Sequence, residues 1–208
     1  MKPDKRVPSD ERLMLAYRDG DEGAFTELFN RYKVRIFNYF LRHITDRATA
    51  EDLLQSTFLK VHRSRKSYQP LAAFSTWIFT IASNLLRDAT RIERRRADIV
   101  ELEEVREKIA AGSGPWEVVH RYVKNPESEY GAMEITQHIR QAVQSLPPDQ
   151  RAVILLAKYE GFKYEEIADI LNTTAGAVKV KAHRAMKTLE KVLKDRLGVP
   201  PLYATTSS

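Results

Sequence analysis

Apolar residues recur at intervals of three and four along most of the chain, and no segment sustains the strict alternation of a half-buried strand. In the first such stretch Phe25, Leu28, Phe29, Tyr32, Ile36 and Phe40 form the stripe of a helix with one buried face. A second helix is expected after Asp46 as N-cap, burying Ala50, Leu53, Leu54, Thr57, Phe58 and Val61 and turning Asp52, Gln55, Ser56, Leu59 and Arg63 outward. Leu59 is an apolar residue on a polar face, either a scattered surface leucine or the mark of a docking face. Pro70 is expected to end this helix.

A third helix, starting near Phe74, would bury Trp77, Ile78, Ile81, Ala82, Leu85 and Ala89. Its other face reads Thr76, Phe79, Thr80, Ser83, Asn84, Arg87, Arg91 and Arg94. Rings that stack on bases, arginines that meet phosphates and short polar groups that reach base edges suit single-stranded nucleic acid. The same spacing is compatible with Phe79 packed beneath the preceding loop, and periodicity alone leaves both placements open.

Toward the carboxyl end, "SLPPDQRAVILLAKYEG" (145–161) reads as a short helix opened by Pro148 and closed at Gly161. "KYEEIADIL", "NTTAG" and "AVKVKAHRAMKTLEKVLK" then give two helices and a brief turn, the second burying Val178, Ala182, Ala185, Met186, Leu189 and Val192. Residues 166–178 have the proportions of a helix-turn-helix, whose second helix offers its first residues to the major groove. The turn position that favours positive φ falls on Asn172, a residue that tolerates it.

Glycine divides these blocks. It is absent from 24 to 111, and then Gly112, Gly114 and Gly131 fall close together with Pro115 and Pro126. We therefore expect an all-α protein of two small helical domains, 1–96 and 134–197, joined by a flexible linker, 97–133, that contains one acidic helix. The tail 198–208 is expected to be disordered.

Composition narrows the function. The 208 residues carry 34 Lys plus Arg against 28 Asp plus Glu, a net charge of +6. The charge is sorted into blocks: "RDATRIERRR" (87–96) sets five arginines against two acids, and "DIVELEEVRE" (98–107) follows with five acids. From 176 to 196 seven basic residues meet two acids, a layout suited to phosphates. With no cysteine, thiolate metal sites are excluded and a cytoplasmic location is natural. His43, His62, His120, His138 and His183 show no metal-ligand spacing, and no Gly-rich phosphate loop or catalytic set appears. The chain is thus expected to be no enzyme, to need no cofactor, and to insert in no membrane, its apolar runs being far below the roughly 20 residues a span requires.

Two motif sets now coincide. "AEDLLQSTFLKVH" (50–62), "AFSTWIFTIASNLLRD" (73–88) and the cluster Arg94 to Arg96 come first, then "LPPDQRAVILLAKYEGFKYEEIADIL" (146–171) and "AGAVKVKAHRAMKTL" (175–189). Together they resemble bacterial RNA polymerase sigma factors of the sigma-70 family, extracytoplasmic-function (ECF) group, over most of the chain. The resemblance implies an initiation factor that binds core RNA polymerase and directs promoter recognition, DNA melting and transcription initiation. It implies that Asp52, Gln55, Ser56 and Leu59 bind the β′ clamp helices, with a further contact to the β flap. The loop 65–73 would capture a flipped minus-ten base, with Phe79, Thr80, Ser83, Asn84, Arg87, Arg91 and Arg94 on the DNA. Ala175, Gly176, Lys179, Val180, Lys181, His183 and Arg184 would read the minus-thirty-five element, the linker would run toward the RNA exit path, and an anti-sigma factor would be a further partner. The sequence departs from the family pattern at Asn172 (usually Gly), Ala177 (Thr), Val180 and Lys181 (Ser-Arg), Ser56 (Glu) and Ser83 (Arg). The alternative is a stand-alone helix-turn-helix regulator with an amino-terminal helical sensor domain.

Overall fold

The computed structural model describes residues 8–44, 46–97 and 139–197, with side chains through Arg91 in the first long stretch and through Val192 in the second. The expected linker with its acidic helix, the tail 198–208 and the side chains of Arg94 to Arg96 lie outside the described residues. Every regular element among the described residues is helical, and the helices group into two compact units.

The first unit contains α1 (Asp10–Arg18), α2 (Glu22–Leu41), α3 (Arg47–Ser64), a 3-10 turn (Arg65–Ser67) and α4 (Phe74–Ala97). Local chemistry starts each of the first three helices. Ser9 Oγ accepts the Arg12 N–H at 3.3 Å, Asp21 accepts from Ala24 at 3.2 Å, and Asp46 accepts from Thr49 at 2.8 Å. Each cap satisfies one of the donors that a helix start leaves without an intrahelical partner. The Thr49 hydroxyl and backbone N–H together hold the Asp46 carboxyl below its ordinary value.

Two features differ from the sequence-based expectation. Helix α1 was not anticipated, because its nine residues carry only one narrow apolar stripe, Leu13, Met14 and Tyr17. Helix α3 ends at Ser64, well before Pro70. There the Arg65 guanidinium donates to the His62 carbonyl at 2.8 Å and the Ser67 hydroxyl to the Ser64 carbonyl at 3.0 Å. These side chains take up carbonyls at the helix end, so the chain leaves the helix without needing a proline.

The expected stripe of α2 faces inward: Leu28, Tyr32, Ile36 and Phe40 are buried, while Phe25 and Phe29 are half-buried against α1 and α3. Phe29 meets Phe58 edge-on at 4.7 Å, Tyr32 meets Phe74 at 5.1 Å, and Tyr39 meets Phe79 at 5.5 Å. Such tilted ring pairs are the favoured aromatic geometry.

The second unit comprises a helical stretch over 139–144, α5 (Pro148–Lys158), α6 (Tyr164–Leu171) and α7 (Ala175–Leu197). Pro148 occupies the first turn of α5, where its missing N–H is harmless. Gly161 (φ 77) closes the following turn and Asn172 (φ 50) adopts the left-handed conformation expected of it. Thr174 caps α7 by accepting the Ala177 N–H at 3.2 Å, and Glu166 reaches back to the Lys163 N–H at 2.8 Å. The core is aliphatic: Ala142, Val143, Leu146, Ile154, Leu155, Ala185 and Leu189, with Met186 and Val192 packed at its margin. Arg151 lies against it and donates to the carbonyls of Gln144 and, at 3.1 Å, Leu146, tying the 139–144 stretch to α5. Burial pushes the Arg151 guanidinium below its usual value.

Candidate nucleic-acid interface

Helix α3 has two distinct faces. Ala50, Leu53, Thr57, Phe58 and Val61 are buried, and Leu54 is half-buried. Asp52, Gln55 and Leu59 stand exposed on the opposite side, with Ser56 half-buried beside them. The spacing of three and four residues makes these one continuous strip. Leu59 is 47% exposed, so α3 holds an apolar side chain in water between polar neighbours.

Helix α4 corrects the expected reading face. Phe79 has no exposed surface and Ser83 only 4%. The Phe79 ring packs on Tyr39, with the Arg35 guanidinium 5.5 Å from its centroid, and Ser83 shares a 2.9 Å hydrogen bond with the Tyr39 hydroxyl. Thr76, assigned to the same face, is buried as well. The cause is the number of neighbours. Helix α4 packs on α1, α2 and α3, so its buried arc is wider than the single stripe that periodicity suggests. Trp77, Ile81, Leu85 and Ala89, expected to be inside, are half-buried at the margins of that arc.

What remains is a narrower outward strip. Thr80 is half-buried with its hydroxyl donating to the Thr76 carbonyl at 2.8 Å. Asn84 accepts from Arg87 at 3.2 Å, and Arg91 lies 3.6 Å from Asp88. Thr80, Asn84, Arg87 and Arg91 follow one another at helical spacing, and the two arginines are exposed. The connection leading into α4 sends Tyr68 inward, 3% exposed, and Leu71 outward, 88% exposed. Burial, reinforced by the negative charges of Glu11 and Asp10, raises the Tyr68 phenol to about 12.

On α7, Val178, Ala182, Ala185 and Leu189 face the core. Gly176, Lys179, Val180, His183 and Arg184 are exposed, and Ala175 and Lys181 are half-buried. Lys181 differs from its neighbours because it forms a 3.0 Å ion pair with Asp149 of α5. Lys179, His183 and Lys187 line a groove together with Tyr164, Ala182, Met186 and Glu190. Val180 is 50% exposed at the outer edge of the second helix of the helix-turn-helix.

Sequence reasoning missed the polar ties of α1. Asp10 accepts from Arg31 at 2.7 Å and from the Tyr32 hydroxyl, Glu11 accepts the Phe74 N–H at 2.8 Å, and Tyr17 is hydrogen-bonded to His62. The one available signal was the run Ser9, Asp10, Glu11, a cap followed by acids, which marks a helix start and not its distant partners.

A helix-turn-helix with an exposed basic second helix, following a separate helical unit with its own exposed polar strips, defines a DNA-binding protein of two functional surfaces. Residues 28–96 match sigma-70 region 2 and residues 136–189 match sigma-70 region 4. The RNA polymerase sigma factor CarQ of Myxococcus xanthus is 34% identical over 182 residues, covering 88% of this chain and 96% of that protein. The ECF RNA polymerase sigma factor SigW of Bacillus subtilis is 31% identical, covering 86% and 93%. Among solved structures, the sigma factor RpoE in complex with the anti-sigma factor NepR from Bartonella quintana aligns with a TM-score of 0.62 at 25% identity, covering 82% of this chain and 96% of that one. The chain belongs to the ECF group of the sigma-70 family. It is a sigma factor, which joins RNA polymerase and directs it to promoters, and the region 2 match displaces the alternative of a stand-alone regulator with a sensor domain. No helix among the described residues is long and apolar enough to cross a membrane.

Proposed function

We propose that the two units divide promoter recognition between opened and duplex DNA, with domain limits at 1–96 and 134–197 and a linker at 97–133. The α3 strip of Asp52, Gln55, Ser56 and Leu59 docks on the β′ clamp helices of core polymerase. Loop 65–73 and the α4 strip of Thr80, Asn84, Arg87 and Arg91 receive the minus-ten strand once it is opened. Arg94 belongs to the same contact by its place in the sequence. Phe79 and Ser83 support this surface from within. Helix α7 enters the major groove at the minus-thirty-five element with Ala175, Gly176, Lys179, Val180, His183 and Arg184, while Lys181 serves chiefly to brace α5.

The observation that carries this reading is Leu59, an apolar side chain left in water on a face whose other members are polar. A docked partner removes that surface from water and supplies binding energy where the free protein gains none. Support for the opened strand comes from two exposed features of one surface-forming segment: Leu71 projects just before α4 begins, and Arg87 and Arg91 stand exposed several turns further along the same helix, an apolar group and cations that a strand running along α4 could meet in succession. The protein performs no covalent chemistry, works in the cytoplasm, touches the β flap through its second unit, and is held in reserve by an anti-sigma factor, as the Bartonella relative is bound by NepR.

Reconstituted run-off transcription tests the proposal. Adding the protein to core polymerase should give start-site-specific transcripts, and Leu59→Asp should abolish them while leaving the unfolding midpoint unchanged. Normal transcript yield from the Leu59→Asp protein would remove α3 from the polymerase contact.

A further inference from the structure

Helix α4 begins at a position that cannot cap itself. The carbonyl of Ala73 accepts the first helical bond, from the Trp77 N–H at 3.1 Å, yet an alanine side chain offers nothing to the free N–H groups of the first turn. The acceptor comes from another helix. Glu11 of α1 takes the Phe74 N–H at 2.8 Å, and its negative charge sits at the positive end of the α4 dipole.

Helix α1 is itself held firmly at this point. Asp10, the neighbour of Glu11, binds Arg31 at 2.7 Å and the Tyr32 hydroxyl, and Arg31 also donates to the Pro8 carbonyl at 3.0 Å. At the far end of α1, Tyr17 is hydrogen-bonded to His62, and the Arg65 guanidinium lies 5.9 Å from its ring centroid. Both ends of the connection from α3 to α4 are therefore tied to α1, at Arg65 and at Phe74. Between them Tyr68 is fixed against Trp77, ring centroids 5.0 Å apart, and Leu71 projects.

We infer that Glu11 is a positioning residue for promoter opening: its carboxylate fixes the start of α4, and with it loop 68–73, in the shape that presents Leu71 to the opened strand. This rests on the assignment of that loop to the minus-ten strand. A loop already ordered before DNA arrives loses less entropy on binding, so a contact far from the DNA is felt as affinity for the opened strand alone. Glu11 itself lies on α1, is part of no exposed strip described above, and acts through Phe74.

The test uses holoenzyme assembled from core polymerase and the full chain. Two templates are compared: a fork with duplex minus-thirty-five and single-stranded minus-ten, and a duplex ending upstream of the minus-ten. Glu11→Ala should weaken fork binding roughly tenfold, the loss of one charge-assisted hydrogen bond. Core affinity and binding to the upstream duplex should stay at the parent level. Glu11→Gln keeps an oxygen acceptor and should restore fork binding to within about threefold of the parent. Leu71→Ala is the reference for the loop itself and should weaken fork binding as well. Normal fork binding by Glu11→Ala alongside a weakened Leu71→Ala overturns the inference and spares the loop assignment. Normal fork binding by Leu71→Ala overturns the loop assignment and the inference with it. Loss of core affinity in Glu11→Ala that Glu11→Gln does not repair would make Glu11 a support for the whole unit, and that too overturns it.

Discussion

The two units bury their interiors in different ways. In the first, Tyr32, Tyr39, Phe40, Phe74 and Phe79 lie fully buried with ring edges set against ring faces, and hydroxyls and carboxylates bond across helices distant in sequence. In the second, α5 and α7 close on valine, leucine, isoleucine and alanine, helped by Arg151 and by one ion pair to Asp149. Aliphatic contacts are non-directional and accept several arrangements of similar energy, whereas ring pairs and hydrogen bonds accept few. The difference matches the proposed tasks. A loop that must receive an unstacked base needs its frame fixed from several directions. A recognition helix needs only to be held from behind, since its outer face meets DNA of regular shape.

The most severe way to break the comparison is to empty a site in each core. Phe79→Ala removes a fully buried ring packed on Tyr39 and should cost about 3–5 kcal/mol. Urea unfolding followed by Trp77 fluorescence, in a Trp116→Phe background that removes the other tryptophan, would measure this, because Trp77 sits on the same helix. Leu155→Ala in the second unit should cost about 2–5 kcal/mol and leave the Trp77 signal of the first unit unmoved. A Phe79→Ala protein as stable as its parent but defective on opened DNA would return Phe79 to the surface and undo the contrast.

A gentler probe is alkali. Burial raises the phenols of Tyr17, Tyr32 and Tyr68, each of them in the first unit. A phenol that keeps its proton longer in the folded state than in the unfolded state stabilises the fold fully below pH 10.0, the ordinary value. That contribution disappears as pH rises, for Tyr68 between 10.0 and about 12. The first unit should therefore loosen on the way to pH 12, seen as loss of the aromatic near-UV signal ahead of the helical far-UV signal. Tyr68→Phe, which removes one of the three phenols, should move that loss to higher pH; an unchanged transition would show that Tyr68 does not govern it.

How far these features were legible in the sequence depended on whether their causes were local. The Asp46 cap, the Pro148 start, the turn at Gly161 and the positive φ of Asn172 all follow from chemistry within a few residues, and each is present. The stripe of α2 was readable because one side of that helix packs and the other does not. Helix α4 was misread because its buried arc is set by how many helices surround it, which spacing along one segment does not encode. Phe79 and Ser83 crossed from the expected surface to the core for that reason. Glu11 was invisible for a stronger one: a carboxylate followed by apolar residues looks like any first-turn acid, and its partner, the Phe74 N–H, is identified only once α1 and α4 are folded together. Among the described side chains of α7 the exposure pattern followed the expected face closely, with Lys181 turned aside to an ion pair with Asp149.

Lys181 gives the smallest and most discriminating test of the second unit. Its ion pair with Asp149 is partly exposed, with 32% and 76% of the two side chains accessible, so water screens it and its contribution to stability should be only about 0.2–1 kcal/mol. Lys179, two residues earlier, is exposed and lines the groove with His183. If α7 meets DNA with Lys179 and braces α5 with Lys181, the two alanine variants should separate cleanly. Lys179→Ala should leave the unfolding midpoint alone and lessen the slope of log affinity against log salt by about 0.9, the share of one phosphate contact. Lys181→Ala should lower the midpoint slightly and leave that slope nearly as it was. Asp149→Ala should repeat the small loss of stability, since it breaks the same pair from the other side, and a double variant should cost little more than either single one. A reduced salt slope in Lys181→Ala with no change in stability would mean that the lysine leaves Asp149 for the phosphate backbone when DNA binds, and the second unit would then share with the first the use of one charged side chain to couple its frame to its ligand.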